Sequence, residues 1–78
     1  MHYTYILKNK YDNYYIGYTG DLSMRLKEHK YQHPGYALSY YEAYSFEQSA
    51  RLRERKLKHY GSAWRALKSR ISLGGGVQ

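Results

Sequence analysis

The 78-residue sequence contains no cysteine, one proline, one tryptophan, one phenylalanine and only six acidic side chains. Without cysteine there is neither a disulfide framework nor a thiolate metal site, and the chain suits a reducing compartment. No apolar run approaches the ~18 residues of a membrane span, and Met1-His2-Tyr3-Thr4-Tyr5 does not read as a signal peptide. A soluble, cytoplasmic protein is therefore expected. A chain this short buries only about 60% of the surface it exposes when unfolded, so its core must be compact. The length suits one small domain, expected over residues 1–72, with a flexible Gly-rich tail over 73–78.

What the chain does have is positive charge, unevenly spread. Residues 1–47 balance five basic side chains against five acidic ones. Residues 48–78 hold eight basic side chains and a single acid, Glu54, so the whole net charge of +7 falls on that part. Such a distribution suits a surface facing a polyanion, or a solvated basic helix. Tyrosine supplies twelve aromatic side chains. A phenol packs like an aromatic yet seeks a hydrogen-bond partner, so composition alone leaves core, stacking and chemical roles open.

Two β-rich runs, Tyr3-Thr4-Tyr5-Ile6-Leu7 and Tyr14-Tyr15-Ile16-Gly17-Tyr18, flank the polar stretch Asn9–Asn13 and predict a β-hairpin. Asp21 is a good N-cap for a helix over about 22–30, with Leu22, Leu26 and His29 on one stripe, and His33-Pro34-Gly35 ends it. Leu38–Phe46 reads as a third strand. A second helix follows to about Tyr60, ended by Gly61, and Ser62 caps a third over about 63–72. The order β-β-α-β-α-α describes a small α/β domain, a three-stranded antiparallel or mixed sheet covered by about three helices.

A hairpin loop centred on Tyr11 pairs Tyr5 with Gly17 and Leu7 with Tyr15, which puts Tyr5 and Tyr15 on one sheet face as diagonal neighbours. Gly17 then leaves a gap beside the Tyr5 phenol where a ligand can approach; the plainer alternative is a pair of core tyrosines. Arg25 and His29 lie four apart on the first helix, so the arginine is placed either for a phosphate or to snorkel along an apolar stripe. On the second helix Phe46, Ala50, Glu54 and Leu57 form an inward stripe. A carboxylate there needs a cation, and Lys58 at i+4 or a divalent metal would each serve.

These residues, in this order, resemble the GIY-YIG nuclease superfamily, particularly its short single-domain bacterial branch related to the N-terminal nuclease module of the excision-repair endonuclease. Tyr3-Thr4-Tyr5-Ile6-Leu7 stands where the GIY element lies, without its Gly and Ile, and Tyr15-Ile16-Gly17 is a literal YIG. Asp21-Leu22, Arg25-Leu26 and His29 are similar to the first-helix signature. Ala50, Glu54 and Leu57-Lys58 are similar to the segment carrying the metal-binding glutamate.

The resemblance implies a metal-dependent endonuclease that hydrolyses phosphodiester bonds in DNA, in repair, recombination or mobile-element processing. Glu54 would hold one Mg²⁺ or Mn²⁺, and Arg25 would neutralise charge on the phosphate. Tyr5 or Tyr15 would orient or deprotonate water, and His29 would be a second phosphate contact or an alternative base. Gly17, Arg51, Arg53, Arg55, Lys58, Arg65 and Lys68 would meet the nucleic acid, tracking its backbone without reading sequence. A partner protein would supply specificity where none is built in. The alternative is a basic module of the same fold that binds nucleic acid without cutting it.

Overall fold

Asn9 builds the first turn. Its side-chain Oδ1 accepts hydrogen bonds from the backbone N–H groups of Tyr11 and Asn13, both at 2.9 Å, and Asp12 takes a left-handed φ of 62° to close the loop. The computed structural model of the protein describes residues 1–74. In it this turn joins β1 (His2–Lys8) to β2 (Tyr14–Thr19). The register is the one expected from a loop centred on Tyr11, with Tyr5 opposite Gly17 and Leu7 opposite Tyr15.

The chain continues through α1 (Leu22–Gln32), β3 (Ala37–Tyr44), α2 (Glu47–His59) and α3 (Gly61–Gly74). Asp21 caps α1 as expected, its carboxylate accepting from the Met24 N–H at 3.0 Å. β3 pairs antiparallel with β1, so the sheet order is β2-β1-β3 and every pairing is antiparallel. Central β1 is buried from Thr4 to Leu7, and alternation sends successive side chains to opposite faces. Ile6 joins Leu57, Leu67 and Ile71 in the core beneath α2 and α3, each burial worth about 1.5–3 kcal/mol. The Thr4 hydroxyl donates to the Ala50 carbonyl at 2.8 Å and pins α2 to the sheet. Tyr5 points to the other face, towards α1.

Three local expectations are corrected. Phe46 is not part of the inward stripe of α2: it is an extended residue at the helix start, its carbonyl accepts from Ser49 and Ala50, and its ring is exposed. Gly61 does not end α2 and Ser62 does not cap α3. Extended Tyr60 does both jobs through its backbone, donating to the Lys56 carbonyl and accepting from Ala63 and Trp64. One residue thus closes one helix and opens the next, and a left-handed glycine is not required. Helix α3 also runs to Gly74, so Leu73 and Gly74 of the expected tail are helical and the remainder, 75–78, lies outside the described residues.

Candidate active site

The Tyr5 side chain, 1% exposed, reaches from the middle of β1 to α1. Its hydroxyl lies 2.8 Å from His29 Nε2. His29 is itself 4% exposed, and its Nδ1 is buried without a hydrogen-bond partner. Tyr15 completes the group, its ring stacked 6.3 Å from that of Tyr5 and edge-on 4.9 Å from His29. His33, one helical turn after His29, stands 5.1 Å from the His29 ring and 5.3 Å from Tyr15. In the sequence His33 reads only as part of the helix stop, although it follows Arg25 and His29 at the same spacing of four; it is the C-cap of α1.

Gly17 is explained by this cluster. A Cβ there would stand 2.6 Å from the Tyr5 hydroxyl and 3.1 Å from a Tyr15 ring carbon. The gap expected as room for a ligand is therefore filled by the Tyr5 phenol, and Gly17, itself buried, is not placed to meet nucleic acid. His29 is likewise too deep for a phosphate contact, with Nε2 engaged by Tyr5.

Charge gathers around the same phenol. Burial pushes the Tyr5 phenol up to about 12; Tyr15 adds to the rise, Arg25 opposes it, and Glu28 and Glu54 raise it further. Arg25 and Glu28 stand on α1, paired with each other, and Glu54 stands on α2, paired with Lys58. His29 is shifted down by burial and then by His33 and Arg25, which keeps its imidazole neutral near pH 7. Tyr5 therefore stays protonated, and of the two candidate phenols the partly exposed Tyr15 is the one that can meet water.

Glu54 sits on α2 with 18% of its side chain exposed, and Lys58 Nζ lies 2.8 Å from its Oε2. The i, i+4 ion pair weighed as one answer to the inward carboxylate is thus formed. Among the described residues no three His, Asp or Glu side chains converge to hold a metal ion. A hard divalent cation fits nonetheless, because Mg²⁺ is commonly held by one or two carboxylates while phosphate and water fill the other positions. Lys58 would have to turn aside to admit it. Arg25 has an exposed partner, Glu28, at 3.1 Å, a contact worth well under about 1 kcal/mol and easily exchanged for a phosphate.

The expected basic surface is divided. Arg53 is not placed for DNA. Its guanidinium forks onto Glu42 at 3.0 and 3.2 Å, and the same carboxylate accepts from the Tyr40 and Tyr44 hydroxyls. Glu42 draws Arg53 inward because a half-buried carboxylate needs a cation. Arg51, Arg55, Arg65 and Lys68 are exposed; Arg51 lies over the Tyr18 ring at 6.0 Å, and Lys68 over the Tyr14 ring at 5.4 Å. Among the described residues no helix is long and apolar enough to cross a membrane.

The sequence matches the GIY-YIG catalytic domain over residues 1–66, from the start of β1 into α3. No curated protein and no solved structure matches it. The matched span contains the whole sheet, the Tyr5–Tyr15–His29 cluster, Arg25 and Glu54, and on that breadth of agreement the chain belongs to the GIY-YIG nuclease superfamily.

Proposed function

We propose that the protein is a metal-dependent endonuclease that cuts phosphodiester bonds in DNA. The observation that carries this reading is the packed Tyr5–Tyr15–His29 cluster, which lies with Arg25 of α1 and Glu54 of α2 inside the span that matches the GIY-YIG catalytic domain. Glu54 would hold one Mg²⁺ or Mn²⁺. When bound, such an ion polarises the scissile phosphate and stabilises the leaving oxygen. Arg25 offers a planar fork of donors to the non-bridging oxygens, where charge grows in the transition state. Tyr15 orients the attacking water, held in place by Tyr5, His29 and His33 behind it. Tyr5 and His29 act as a buried brace rather than as a base. Arg51, Arg55, Arg65 and Lys68 bind the phosphate backbone irrespective of sequence, so affinity falls steeply with salt. Repair, recombination or mobile-element processing is the setting we assign to such a nuclease.

The test is nicking of supercoiled plasmid in Mg²⁺, Mn²⁺ and EDTA, with Glu54→Ala and Arg25→Ala alongside. Metal-dependent nicking by the wild type, lost by about 100-fold or more in both variants, is expected by analogy with removal of one transition-state donor. Undiminished nicking by purified Glu54→Ala would remove Glu54 from the mechanism. A second reading, a basic nucleic-acid-binding module without catalysis, draws on the Glu54–Lys58 ion pair, which already neutralises the carboxylate. DNA retarded at low salt and never nicked in any metal would favour it.

A further inference from the structure

Beside Tyr15, at the outer edge of the sheet, a cleft of about 360 Å³ is lined by Tyr14, Tyr15, Ile16, Leu57, Lys58 and Trp64. Three of its six lining residues are aromatic. Trp64 meets Tyr14 edge-on at 5.1 Å, and both are only partly buried against the core. One cation lines the cleft and two more neighbour its Tyr14. Lys58 stands at its wall, and Lys8 and Lys68 lie over the Tyr14 ring at 5.8 and 5.4 Å. Two of its members also belong to the candidate active site: Tyr15 touches the His29–His33 cluster, and Lys58 is the partner of Glu54.

An aromatic, apolar cleft edged by lysines complements an aromatic base carried on an anionic backbone. We propose that it is a subsite for one unpaired nucleobase of the DNA strand, next to the phosphate that is cut. In a continuous duplex every base is stacked and paired, so this cleft stays unfilled; a bulged, flapped or otherwise extrahelical nucleotide can enter it. The proposal rests on the nuclease reading and adds the substrate class: DNA with an unpaired nucleotide at the cleavage point. Stacking is tolerant of base identity, so the preference is for structure and not for sequence.

The single tryptophan makes the subsite directly observable. The full-length wild-type protein is titrated in EDTA, so that DNA stays intact, with three DNAs: a paired duplex, the same duplex with one unpaired adenine, and that duplex with an abasic residue in the adenine's place. Binding is followed by gel retardation and the site by Trp64 emission. The adenine bulge is expected to quench Trp64 at saturation, and the paired and abasic duplexes to leave it nearly unchanged. Tyr14→Leu is expected to weaken binding of the adenine bulge roughly 5- to 150-fold while leaving the paired duplex near its wild-type affinity. Equal quenching by all three DNAs, bound bulge without quenching, or no retardation of any DNA each overturns the proposal. Failure of the nuclease reading looks different. Base-dependent quenching without nicking in any metal keeps the subsite and removes the catalysis, whereas nicking without base-dependent quenching does the reverse.

Discussion

Adding one methyl group at Gly17 tests the geometry of the Tyr5 brace most directly. The Gly17 backbone is not left-handed, so Gly17→Ala meets no conformational penalty of that kind, and its whole effect comes from contact. The new carbon would lie 2.6 Å from the Tyr5 hydroxyl oxygen and 2.7 Å from the ring carbon that bears it. Ordinary contacts between carbon atoms are about 3.5–4.0 Å, so the ring must retreat by close to 1 Å. Tyr5 is 1% exposed, so its ring cannot swing out into solvent. Overpacking of this kind costs about 1–3 kcal/mol. A displaced phenol also loses His29 Nε2, leaving both imidazole nitrogens buried without partners, for about another 1–3 kcal/mol. A total of about 2–6 kcal/mol is expected, and in a domain of this size each kcal/mol lowers Tm by about 4–8 °C. Urea and thermal unfolding measure it. The partner control is Tyr5→Leu, which removes the clashing atoms: in that background Gly17→Ala should become nearly neutral. A shift below about 0.5 kcal/mol in the wild-type background, or an undiminished one in Tyr5→Leu, would refute the close approach.

Three further outcomes are expected. Burial alone would push the Glu42 carboxyl up, but hydrogen bonds from Tyr44, Tyr40 and Arg53 bring it below its ordinary value near 4.5. The stability it contributes is thus fully present above about pH 4.5 and lost as pH falls through the lower folded value; Glu42→Gln should flatten that acid limb in urea melts while lowering stability at pH 7 by about 1.5–3 kcal/mol. His29, depressed by burial, binds its proton more readily when unfolded, so the wild type should lose stability as pH falls below about 6.5; a thermal scan from about pH 8 to pH 5 that shows no such loss above the carboxylate range would contradict the neutral imidazole. Lys58→Ala frees the Glu54 carboxylate and should lower the Mn²⁺ concentration needed for half-maximal nicking, while the DNA concentration required rises.

Much of the fold is written in local pattern. The Asn9–Asn13 stretch has the donors, acceptors and left-handed tolerance of a tight loop, and centring it on Tyr11 fixed which residues face each other. Asp21 announced α1 because a side-chain cap is a sequence signal. Phe46 and Tyr60 cap with backbone groups only, which carry no such signal, so the extent of α2 is legible while the residues that cap it and α3 are not. The site was legible as a set of residues and much less as an arrangement. Nothing local to Arg53 reveals that Glu42, on β3 eleven positions earlier, would claim its guanidinium, because that pairing depends on α2 crossing the sheet. Gly17 was singled out for the right reason, a missing side chain opposite Tyr5. What filled the space was the tyrosine across the strand rather than a ligand.

That last difference bears on how two tyrosines of one motif come to differ. They sit on one face of paired strands with their rings stacked, yet their surroundings are unlike. Tyr5 is central, sealed by Gly17 beneath and His29 above, and its phenol is pushed up to about 12 by burial before any charge acts on it. At neutral pH it is a fixed hydrogen-bonding group and cannot take a proton from water. Tyr15 lies on the edge strand, partly exposed, and lines both the His29–His33 cluster and the cleft beside Trp64. Sheet order alone produces this split, because β1 is covered on both flanks and β2 on one. The same topology that buries Tyr5 therefore leaves Tyr15 where the buried cluster adjoins the aromatic cleft, whose wall also includes Lys58, the partner of Glu54.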